Sequence, residues 1–134
     1  MRLLIGTDPE QAAVIRAANE FHQSDPNTPL LVLIGSAGSF SFKPRPSTIL
    51  VPGMLTGVIA AVPSLEEFGI ASRLASEMGL PGCYDGTVLA LAEEWLQAIE
   101  AALRAQMSIT VVGSEDLTRS AQDIGQRFGL PVLS

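Results

Sequence analysis

The run Leu30-Leu31-Val32-Leu33-Ile34 is apolar at all five positions. A half-exposed strand would alternate apolar and polar residues, so an unbroken run predicts a strand covered on both faces, the signature of a parallel sheet sandwiched between helices. Gly35 and Ser36 end the run, and the polar, proline-marked stretch Ser24–Pro29 precedes it. Upstream, Leu3-Leu4-Ile5-Gly6 is a second apolar run. Behind it Asp8, Pro9 and Gln11 suit the N-cap, first-turn and third positions of a helix. Within that helix either Ala12, Ile15, Ala18 and His22 or Val14, Ala18 and Phe21 supply the apolar stripe. Strand, helix and covered strand make a βαβ unit, whose crossover is right-handed in nearly all folds.

The same reading continues along the chain. Gly38–Pro46 carries Phe40, Phe42, Lys43, Pro44 and Arg45 and predicts an extended loop. Thr48–Val51 predicts a third strand, and Ser64 followed by Glu67 has the form of a capping box on a short helix that Gly69 would stop. Ile70–Ala75 predicts a fourth strand, with Arg73 directed to solvent or a partner. The glycine-rich Gly79–Gly86 predicts a loop whose backbone can approach a ligand or another chain closely. From Thr87 to about Ala105 the stripe Val88, Leu91, Trp95, Ile99, Ala102 and Leu103 predicts one long amphipathic helix, with Trp95 in the core. Ile109–Val112 predicts a strand, and Leu117, Ala121, Ile124 and Phe128 mark the buried face of a final helix ended by Gly129 and Pro131. Leu130–Leu133 can add a last short strand. The expected fold is α/β: a single Rossmann-like, three-layer domain over residues 1–134 with a mostly parallel sheet of five or six strands.

Charge and composition narrow the chemistry. A net charge of −6 opposes binding to a phosphate backbone, so nucleic acid is not an expected partner. No apolar run reaches the roughly 18 residues of a membrane span, and the N-terminus lacks a signal-peptide pattern, which predicts a cytoplasmic protein. With one cysteine, Cys83, and one histidine, His22, no internal disulfide, zinc site or iron–sulfur site is expected within the chain. Cys83 reads as a partly buried, inert thiol and His22 as a surface helix residue. Ser-His-Asp and P-loop signatures are missing, so no catalytic residue is assigned.

Three stretches, LLIGTDPEQAAVI, FSFKPRPSTILVPG with GLPGCYDGTVLALAEEWL, and ITVVGSEDLTRSAQDIGQRFGLPV, together resemble the NAD-binding domain of ferredoxin-NADP reductase-like proteins, most closely the dihydroorotate dehydrogenase electron-transfer subunit. The resemblance implies that Gly6, Thr7 and Asp8 stand where backbone amides receive dinucleotide phosphates. It implies that Gly86, Thr87 and Val88, at the start of the amphipathic helix, match the family's glycine-tyrosine-valine-threonine segment, with Tyr84 in the loop just before them, and that Gly113 and Ser114 stand at the turn beside the nicotinamide. Gly35 and Ser36, at the end of the covered strand, complete the candidate cofactor-binding set. NAD or NADP is the implied cofactor. Neither the family's flavin-binding barrel nor the subunit's four-cysteine segment is encoded here, so a separate flavoprotein or oxidoreductase subunit is the implied partner, and no flavin, metal or iron–sulfur cluster is expected in this chain alone.

The chain also departs from that pattern. Gly6-Thr7-Asp8-Pro9-Glu10 replaces a run of glycines and puts two carboxylates where they would repel a pyrophosphate, and Val112-Gly113-Ser114 replaces cysteine-glycine-proline. Two functions therefore stand side by side: an NAD(P)-binding domain acting with a flavoprotein or binding nucleotide only, and a non-catalytic interaction or oligomerisation module with the same fold. Likewise Lys43 and Arg45 can capture an anion or lie in solvent, and Tyr84 can stack on a ligand or serve only its loop.

Overall fold

The computed structural model describes residues 1–8 and 10–134. The reading of Pro9 as a first-turn residue lies outside the described residues. Six strands form one parallel sheet: β1 (Arg2–Thr7), β2 (Leu30–Ser36), β5 (Ala71–Ser76), β6 (Tyr84–Asp85), β7 (Ser108–Val112) and β8 (Val132–Leu133), in the spatial order β6-β5-β2-β1-β7-β8. A separate antiparallel ribbon joins β3 (Arg45–Pro46) to β4 (Ala60–Ala61). The helices are α1 (Gln11–Ser24), α2 (Pro63–Glu66), α3 (Val88–Ala98), α4 (Ala101–Arg104) and α5 (Glu115–Phe128).

Alternation along the strands builds two cores. Leu3, Ile5, Leu31, Leu33, Ile109 and Val111 face α3 and α5, where Leu91, Trp95, Ala121 and Ile124 meet them. Leu4, Val32, Ile34 and Leu74 face the opposite way, onto Val14 and Ala18 of α1 and Leu65 of α2. The sheet is thus covered on both sides, as the unbroken apolar run of β2 requires, and the domain is a Rossmann-like three-layer α/β fold.

Several local expectations are corrected. Thr48–Val51 forms no strand: Glu66 accepts hydrogen bonds from the Ser47 hydroxyl and the Thr48 amide, Arg73 Nη2 donates to the Ile49 carbonyl at 2.6 Å, and Leu50 is 87% exposed. Side chains, not a neighbouring strand, hold this segment. Arg73 is itself buried at 6% exposure, and its partners are the chain's own Ile49 and Ser72 carbonyls. The short helix starts at Pro63 behind Val62, with no side-chain cap, so the box on Ser64 and Glu67 is not used. The long helix breaks at Ile99 and Glu100, both extended, which lets Ile99 turn into the core while Ala102 stays exposed. In α1 the buried residues are Val14 and Ala18, selecting the second of the two stripes.

Candidate functional site

Going out from β1, the chain passes through α1 to β2 and on to β5; after α3 it returns to the other side of β1 as β7. The direction of winding therefore reverses between β1 and β7, and such a switch leaves a crevice at the carboxyl ends of the two strands where ligands of open α/β sheets bind. Thr7 and Gly113 stand at those two ends.

A cavity of about 270 Å³ opens beside the switch point, lined by Thr7, Asp8, Gly35, Ser36 and Thr87 from the expected set. Glu77, Ala37, Val88, Leu89 and Leu117 complete its wall. Gly35 lets α3 come close: a Cβ there would lie 2.7 Å from Val88 Cβ. Thr87 caps α3 by accepting from the Ala90 amide at 3.2 Å, and the first turn of α3 contains no acidic residue. The positive end of that helix dipole thus faces the cavity without an internal counter-charge in its first turn. Ser36 is buried and its hydroxyl accepts from the Gly38 amide at 3.2 Å and donates to the Ser39 carbonyl at 3.3 Å.

Asp8 does not cap α1. Glu10 occupies the position before Gln11, with no side-chain cap bond, while the Asp8 carboxylate accepts from the Ser41 amide and the Ser41 hydroxyl, each at 2.8 Å. The Asp8 amide donates to the Gly35 carbonyl at 2.9 Å, tying the ends of β1 and β2 together.

The remaining expected residues do not line this cavity. Gly6 is a packing glycine, because an added Cβ would sit 2.2 Å from Val14 Cγ2. Gly113 (φ +157°) borders a second, open groove of about 590 Å³, with Val112, Glu115, Thr118, Arg119 and Gln122. Ser114 caps α5, accepting from the Leu117 amide at 3.2 Å, but Glu115 and Asp116 in the first turn place negative charge there. Tyr84 packs over Gly86, whose added Cβ would meet the ring at 2.9 Å. The Glu94 carboxylate, by hydrogen bonding to the phenol, and then partial burial, push Tyr84 up to about 12.

Three wall residues escape motif reading. Ala37 and Glu77 immediately follow β2 and β5, as Asp8 follows β1, so the first residue past each parallel strand was the available signal. Leu89 shows none, since its apolar side chain reads as helix core. Cys83 is half-buried and burial raises its pKa, which keeps the thiol protonated and weakly nucleophilic. Lys43 and Arg45 are exposed. Among the described residues no group of His, Cys, Asp and Glu could hold a metal ion, and no helix is long and apolar enough to cross a membrane.

No family model, curated protein or solved structure matches this chain.

Proposed function

We propose that the crevice binds NAD, making this an NAD-binding domain that acts with a separate flavoprotein or holds the nucleotide alone. The observation that carries the reading is the meeting of Thr7, Asp8, Gly35, Ser36 and Thr87, drawn from three separate stretches of sequence, in one cavity beside the switch point. The acid-free N-terminus of α3 suits the pyrophosphate better than the turn after β1 does. Glu77, in the same wall, suits ribose hydroxyls, which donate to a carboxylate. Two carboxylates, Asp8 and Glu77, also disfavour a 2′-phosphate, so NAD is preferred over NADP.

Isothermal titration with NADH, NADPH, NAD and ADP-ribose tests this. The expected result is saturable heat with NAD and ADP-ribose, weaker heat with NADPH, and loss of both in Leu89→Trp, which fills the cavity. No heat and no thermal stabilisation at millimolar ligand overturns it.

A second reading, an interaction or oligomerisation module, is favoured by the opposite end of the sheet. There, at the amino ends of β1, β2 and β5, Leu50 is 87% exposed beside Met1, Pro29, Leu30, Ile49 and Pro52, which surround a cavity of about 250 Å³. Gel filtration with light scattering discriminates: a strict monomer at high concentration excludes self-association.

A further inference from the structure

Both oxygens of the Asp8 carboxylate are taken by one residue, Ser41, which lies 33 positions further along the chain. Charge-assisted bonds of 2.8 Å to an amide and a hydroxyl make this the polar fastening of the segment that leaves β2. Behind it, Ser36 is buried in the sheet and anchors the start of the segment through Gly38 and Ser39. Ahead of it, Phe40 and Phe42 lie with ring centroids 5.2 Å apart and rest on the α1 side of the core. Ala37, Gly38, Ser39 and Ser41 themselves are exposed. The segment is therefore a strap with a buried root and an apolar pair as its second foothold. Its fastening lies at the mouth of the cavity, because Asp8 and Ala37 belong to the cavity wall.

We propose that Asp8 and Ser41 form a clasp that holds the strap Ala37–Phe42 down beside the crevice, and that its release opens the β1–β2 side of the site. Clasped, the strap keeps the Asp8 carboxylate at the turn after β1 and reserves that turn against anions. Released, it frees the Ser41 amide and hydroxyl, two donors suited to an anionic ligand group. The consequence for nucleotide entry rests on the NAD-binding reading; the clasp itself is a property of the free chain.

Amide hydrogen exchange by NMR on the full chain without nucleotide separates the two. In Asp8→Ala the Ser41 amide should exchange roughly ten-fold faster, while Val32 and Leu33 in β2 are unchanged. Unchanged Ser41 exchange overturns the clasp. If the β2 amides also speed up, Ser41→Ala decides, since it removes only a hydroxyl from an exposed position: exchange across residues 38–42 should rise about three-fold, and no rise overturns the proposal. Failure of ADP-ribose to bind either protein would sink the nucleotide reading and leave the exchange result standing.

Discussion

Gly6 lies so close to α1 that an added methyl group would stand 2.2 Å from Val14 Cγ2 and 3.1 Å from the Val112 carbonyl oxygen. The first contact is with a short branched side chain fixed in the core and the second with backbone, so neither yields cheaply. Gly6→Ala should destabilise the domain by about 1–3 kcal/mol in urea denaturation, with part of the loss recovered when Val14→Ala is added. Tyr84, the one tyrosine of the chain, offers a spectroscopic test at the same scale. Its phenol is neutral when protonated, so a raised folded-state value means that the native chain holds the proton more tightly than the unfolded chain does. That contribution is complete below the ordinary value of 10.0 and is lost as pH rises through about 12. Phenolate absorbance should show a midpoint near 12, and Glu94→Gln should bring it back toward 10.0, Glu94 being the largest cause of the shift.

At the scale of elements, periodicity reached what regular burial controls. The apolar runs at Leu3 and Leu30 and the stripes of α3 and α5 were legible because each face meets a continuous partner. The break between α3 and α4 was not legible, because Ile99 fits a helical stripe and an extended core position equally well. Its cause is tertiary. Arg104 Nη1 donates to the Leu96 carbonyl at 2.7 Å and to the Ile99 carbonyl at 3.3 Å, satisfying the C-terminal end of α3, while Trp95 Nε1 donates to the Pro52 carbonyl at 3.0 Å. Arg104→Ala should cost about 1–3 kcal/mol in thermal melts, and Arg104→Lys should recover only part of it, since an ammonium can replace the single nitrogen that makes both bonds but not the flat guanidinium lying 5.3 Å from the Phe128 ring centroid. The same limit explains Thr48–Val51. Its residues favour a strand, but besides the neighbouring Ser47 hydroxyl its backbone is held by the side chains of Glu66 and Arg73, which local pattern does not reveal.

Across the whole molecule, the segment from Ser47 to Ile59 depends on those two side chains, on Trp95 at the Pro52 carbonyl, and on the Ser47 amide, which donates to the Ile59 carbonyl at 2.8 Å. Arg73 is the critical one. Burial lowers its pKa, Glu66 opposes that, and its removal would take a charged donor from the Ile49 and Ser72 carbonyls, leaving the former with the 3.3 Å bond from the Ser47 hydroxyl. Arg73→Ala should cost about 1–3 kcal/mol and expose the 47–59 segment to limited proteolysis before the sheet itself is cut. The candidate site divides in the same way. Gly35 and Thr87 could be found from turn and cap chemistry, whereas the fastening of Asp8 to Ser41 needed the folded chain. Strand order carries a further consequence. Leu3 of β1 pairs with Ile109 of β7, so one edge of β1 stays without its neighbour until residues 108–112 have been synthesised. During translation β1 and β2 can pair early, but the nascent chain then presents an open edge to other nascent chains. Slow elongation before β7 emerges should therefore favour intermolecular pairing and insoluble product, making the yield of this domain sensitive to where the ribosome pauses.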